Sequence, residues 1–147
     1  MKTSQISKKI IFFDGACGTC NRFVLCLLDI DKGGEMKFCS LQSSFADHFL
    51  KSQGIVDQNN TLYYFSEEGM LDRSTAVLKI LETLIPRLRV LFLVIRLIPL
   101  WLRDGVYRWV ASNRHRFFNN QSCRVMPSEW KYRFIEDVSH YTKKSCK

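Results

Sequence analysis

The sequence predicts an α/β fold of order β-α-β-α-β-β-α with a C-terminal helical extension, on three observations. A short apolar run, "KKIIFFDG", stops at Asp14-Gly15 and gives way to apolar residues at helical spacing. Two more short runs flank Glu67-Glu68-Gly69, a connection that suits a hairpin. Beyond Pro86 the pattern changes to arginines and aromatics interleaved over helix-length stretches.

Each element has a local reason. The run at Ile10 to Phe13 is β-branched and aromatic, the signature of a buried strand. From Thr19 to Ile30, Phe23, Val24, Leu27, Leu28 and Ile30 recur near the helical period. The paired glycines of "DKGGE" break either regular element, so a turn is expected before a second strand, "MKFCSL". A strand, a helix and a strand in succession make the two strands parallel. Ser43 and Ser44 can cap a short helix carrying Phe45 and Phe49 one turn apart. "TLYYFS" and "MLDRS" form the hairpin, and Ser74 or Thr75 is expected to cap "AVLKILETLI", which Pro86 ends. From Arg87 to Phe118 helices bent at Pro99 are expected, and a last helix from Pro127 through Trp130, Phe134 and Val138. The expected division is a core over residues 1–86 and a basic helical extension over 87–147, packed together as a single domain.

Composition narrows the function classes. At 147 residues, 46% hydrophobic and 24% charged, the chain is that of an ordinary globular protein rather than a disordered one. Six cysteines without regular spacing do not make a disulfide framework, and Cys26, Cys39, Cys123 and Cys146 show no mutual pairing pattern. The apolar run after Lys8-Lys9 is shorter than an export signal requires, so a reduced, cytoplasmic protein is expected. "LRVLFLVIRLIPLWLRDG" is interrupted by Arg89, Arg96, Pro99 and Arg103, which argues against a membrane span. Residues 1–80 carry nine basic and nine acidic side chains, whereas residues 81–147 carry thirteen and five. The whole net charge of +8 therefore lies in the second half, as either a solvated face or a surface for an acidic partner or membrane. No nucleic-acid-binding module is recognisable there.

The chemistry concentrates in "FFDGACGTCNRFV", residues 12–24. A thiol attacks a disulfide as the thiolate, and a helix N-terminus stabilises that anion through its unpaired amides and dipole. Cys17 falls at the expected strand-to-helix junction, with Gly18 permitting close backbone approach. Cys20, one turn further in, can reach it and act as the resolving thiol. Two rivals stand beside this reading. A structural zinc site needs four ligands, and Cys39, His48, His115, Cys123 and His140 offer no paired spacing. Two inert buried thiols are the other, since free cysteine is commonly buried. Asp14 would raise rather than lower the pKa of a nearby thiol, so activating Cys17 is not its task. It can take the proton of Cys20 as a general base, or close the strand by bonding turn amides.

These residues resemble the D-x-x-C-x-x-C signature of the DCC family of thiol-disulfide oxidoreductases. The resemblance continues through "SLQS" (40–43), "RSTAVLKIL" (73–81), "LIPLWLRDGVYRWVASNR" (97–114) and Phe117-Phe118. It implies a thioredoxin/glutaredoxin-like core and dithiol exchange at Cys17 and Cys20, with a thiol or disulfide, on a protein or a small molecule, as substrate and no metal or organic cofactor. Pro99, Arg103, Asp104, Tyr107, Asn113 and Arg114 match family positions without a catalytic assignment. Two departures stand out. Thr75 occupies a place in the Ser-x-Ala motif where members often carry an acid, and "DQNNTLYYF" lacks the proline that thioredoxin folds place before the third strand, leaving Asn60 or Thr61 there. The competing class is a non-catalytic binding or redox-sensing module that docks an acidic partner or membrane surface through its basic half.

Overall fold

The computed structural model describes residues 9–15, 18–56, 61–117 and 128–135. Cys17, Asn60, Phe118, Cys123, Pro127, Val138, His140 and Cys146 lie outside them. The described elements are β1 (Ile10–Phe13), α1 (Gly18–Ile30), β2 (Lys37–Ser40), α2 (Ser44–Ser52), β3 (Tyr63–Ser66), β4 (Gly69–Asp72), α3 (Arg73–Leu84), α4 (Arg89–Arg96) and α5 (Leu100–Phe117). Short 3-10 turns occupy Pro86–Leu88 and Ser128–Arg133.

The four strands form one mixed sheet in the order β2-β1-β3-β4. β1 and β2 run parallel, with Ile10 opposite Lys37 and Phe13 opposite Ser40, whereas β3 is antiparallel to both β1 and β4. This is the sheet expected of a thioredoxin-like fold. β1 is interior and wholly buried, which is why it reads as an unbroken apolar run. Its side chains alternate between faces. Ile11 and Phe13 join Val24, Leu27 and Leu28 of α1 and Ala76 and Ile80 of α3, while Ile10 and Phe12 join Ala46 and Leu50 of α2. On the α2 face Phe12 and Phe45 both stack on Phe49, and Phe65 meets it edge-on, an aromatic cluster that anchors the short helix.

The local signals hold where they are self-contained. Ser43 caps α2, its side chain accepting from the Ala46 amide. The β3–β4 hairpin turns at Glu67-Glu68, with Gly69 at φ +112°, a backbone state that side chains disfavour. α4 and α5 are separated at Leu97–Pro99, as the bend at Pro99 predicts.

Two expectations are corrected. α3 begins at Arg73 after Asp72, and Ser74 and Thr75 lie inside it with their hydroxyls engaged by α5 rather than capping the helix. Of the helix expected from Pro127 through Val138, the described residues 128–135 form a 3-10 turn that stops at Arg133. There the Arg133 side chain is held by Asp31 and the Met36 carbonyl. Phe134 bridges to Phe38, and the Ile135 amide donates to the Phe38 carbonyl at 3.0 Å. The chain thus pairs with the free side of β2 and covers that edge.

Candidate active site

Because β1 and β2 are parallel, their C-terminal ends open on the same side of the sheet. Asp14 follows β1 and is buried, and the "SLQS" segment that ends β2 closes on it. Gln42 Nε2 donates to Asp14 Oδ1 at 2.7 Å. The Gln42 Oε1 atom in turn accepts from the Gly15 amide at 3.0 Å and from Ser40 Oγ at 2.6 Å. One side chain therefore fixes both the carboxylate and the turn that follows it. Gly15 is required by this closeness, since a Cβ there would lie 2.7 Å from Ser40 Oγ.

α1 starts at Gly18, so Cys20 is its third residue, while Cys17 immediately precedes Gly18 in the sequence. Of the cysteines without a mutual pairing pattern, Cys26 is exposed and free. Cys39 is buried beneath α2, its Sγ 3.1 Å from Ser43 Oγ. Among the described residues no three His, Cys, Asp or Glu side chains form a metal-binding group.

Gln42 is the residue that reasoning from spacing alone missed. Its partner lies 28 positions away, and the available signal was only that "SLQS" recurs with the dithiol motif.

A second constellation joins two other motifs of the resemblance. The Ser74 hydroxyl donates to Asp104 Oδ1 and accepts from Arg103 Nε at 3.2 Å, and Arg103 Nη2 donates to Thr75 Oγ1 at 3.0 Å. Arg73, in the left-handed region at φ +48°, donates its amide to the Leu62 carbonyl at 3.1 Å and reaches Asp104 with its guanidinium at 3.9 Å. Tyr107 Oη accepts from the Leu62 amide at 3.5 Å. Arg103, Asp104 and Tyr107 thus fasten α5 to the start of α3 and the approach to β3. Thr75, at the place where an acid is common, receives the arginine as a neutral acceptor. Among the described residues no peptide bond is cis, and Thr61 stands half-buried ahead of β3.

Comparison with known proteins bears on all of these segments together. The family model of the DCC1-like thiol-disulfide oxidoreductases matches residues 11–120, from β1 to just beyond α5. The uncharacterised protein YuxK of Bacillus subtilis is 33% identical over 129 residues, covering 87% of this chain and 93% of its own length. A chloroplastic DCC family protein of Arabidopsis thaliana is 30% identical over 120 residues, covering 80% of this chain and 70% of its own. No solved structure matches the chain. The Asp14–Gln42 clasp and the Ser74–Asp104 junction are each built from segments inside that match, and the chain belongs to the DCC1-like thiol-disulfide oxidoreductase family.

Proposed function

We propose that this chain exchanges disulfides through Cys17 and Cys20, with Asp14 as proton acceptor. The observation that carries the reading is a buried carboxylate clamped by Gln42 at the end of the central strand, three residues ahead of Cys17 and at the entrance to α1. Cys17, next to that helix start, is the thiolate that attacks one sulfur of a substrate disulfide. A mixed disulfide forms and the other substrate sulfur leaves as thiolate. Asp14 accepts the proton of Cys20, whose thiolate attacks the Cys17 sulfur and expels the second substrate thiolate. The substrate gains two electrons and the protein is left with a Cys17–Cys20 disulfide, which external thiols of a reducing cytoplasm return to the dithiol.

The test is a non-reducing gel of Cys20→Ser and Cys17→Ser, with zinc analysis of the unaltered protein. Cys20→Ser is expected to accumulate mixed disulfides that collapse on adding reductant, because the attacker persists without the group that releases substrate. Cys17→Ser should trap far less. Equal trapping by both would overturn the division of roles while sparing the dithiol. Stoichiometric zinc without trapping, with metal and stability lost together in both variants, would replace exchange by a structural metal site.

A further inference from the structure

We propose that the outer face of α4 and α5 docks on an anionic lipid bilayer, lying in its interface without crossing it. Among the described residues no helix is long and apolar enough to span a membrane. Yet these two helices expose more large apolar surface than a solvated face needs. Val90 and Trp101 are each 74% exposed, Leu97 is 83% exposed, and Leu93, Val94, Val106 and Trp109 are about half exposed or more. Isolated exposed apolar residues call for no explanation, but so many on two successive helices mark a binding surface.

On each helix the spacing puts the exposed apolar residues on the side turned away from α3. On α5, Arg103, Asp104 and Tyr107 point to α3 and β3, which turns Trp101, Leu102, Gly105, Val106 and Trp109 outward along a shallow groove. On α4, Phe92 is buried and Arg89 and Arg96 both face Glu82 of α3 at 3.7 Å, leaving Val90 and Val94 on the far side, with exposed Leu97 directly after the helix.

Charge identifies what the face meets. Residues 86–117 contain seven arginines and a single acid, Asp104; Arg89 and Arg96 are turned to Glu82 and Arg103 to Ser74 and Thr75, so the charge of the outer face rests on the others. Exposed Arg87 and Arg108 border the apolar residues. A second copy of the chain would set two such basic faces against each other, a like-charge contact that disfavours that occupant. An anionic bilayer neutralises the arginines, takes the aliphatic side chains into its acyl boundary and seats tryptophan at the headgroup level. The proposal does not depend on the dithiol reading.

Vesicles of phosphatidylcholine alone and with about one third phosphatidylglycerol provide the test, using the full chain under reducing conditions. Co-sedimentation should be at least about tenfold stronger with the anionic vesicles, since each basic residue at the surface contributes about a factor of five. Tryptophan emission should shift to the blue on binding. Arg87→Glu with Arg108→Glu should weaken binding at least about tenfold, and Leu97→Ser with Trp101→Ser should weaken it and reduce the blue shift. All four residues are exposed, so unchanged thermal melting of the variants is expected and is checked in parallel. Failure to bind anionic vesicles overturns the proposal. So does equal binding to both vesicle types, or binding that neither variant alters. Self-association abolished by Leu97→Ser with Trp101→Ser, without vesicle binding, would assign the face to a second copy instead.

Discussion

The Arg133 guanidinium donates to the Asp31 carboxylate across 102 positions of sequence, and both side chains are almost wholly buried. Asp31 directly follows α1 and also accepts from the Met36 amide at 3.0 Å, while Arg133 donates to the carbonyls of Met36 at 3.0 Å and Asp31 at 3.3 Å. Each charge thereby has further hydrogen bonds besides its ion pair, the condition under which a buried pair is tolerated. The pair joins the end of α1, the turn before β2 and the segment that pairs with β2.

Arg133→Met is therefore expected to cost about 3–5 kcal/mol, because it leaves the Asp31 carboxylate buried without its cation. Urea denaturation measures this. Hydrogen exchange gives a local readout, since the Ile135 amide bonded to Phe38 should lose protection before the rest of the sheet. A loss below about 1 kcal/mol would mean that the pair is not a structural latch.

This pair also marks where sequence reasoning stopped. β1, α1 and the β3–β4 hairpin were legible because their signals are local: an apolar run, a helical period and a turn. The segment through Trp130 and Phe134 reads as helical by spacing, but its fate is decided by Asp31 and the edge of β2, which no window around it contains. Ser74 is a sound cap by type. Its hydroxyl goes to Asp104, 30 residues on, and only the folded chain reveals that competitor. Of the site, Asp14 was visible as the acid before the dithiol motif, whereas Gln42 was not, since glutamine in a loop carries no signal of its own.

Tyr64 gives a prediction about alkaline pH. It is buried in β3, and burial pushes its phenol above the ordinary value of 10.0, with Thr83 and Lys9 opposing the rise. A group whose pKa is higher folded than unfolded contributes stability that is complete below the unfolded value and lost as pH climbs through the folded one. Unfolding free energy should accordingly fall as pH rises above about 10. Lys9, raised chiefly by its hydrogen bond to Glu35, gives a slope of the same sign, so the comparison must be between variants. Tyr64→Phe should flatten the alkaline slope while lowering stability at neutral pH by about 1 kcal/mol for the lost hydrogen bond. Equal alkaline slopes in the two proteins would show that Tyr64 does not drive the transition.

Gln42 provides the sharpest test of Asp14. Its amide donates to the Asp14 carboxylate at 2.7 Å, and its carbonyl holds the Gly15 amide and Ser40 hydroxyl. Gln42→Glu keeps an acceptor for the latter two but exchanges the donor for a negative charge. A like charge beside a carboxylate disfavours its charged form. If Asp14 takes the Cys20 proton, release of the mixed disulfide should then reach half its maximal rate at a higher pH. Gln42→Ala removes the donor without adding charge and should shift the profile less, while costing about 1–3 kcal/mol for the groups left unpaired. Single-turnover release from a Cys17-linked substrate, followed against pH in all three proteins, separates the two roles of the aspartate. A carboxylate that merely shapes the turn predicts altered stability with an unmoved pH profile. A proton acceptor predicts the ordered upward shift, smallest for alanine and largest for glutamate.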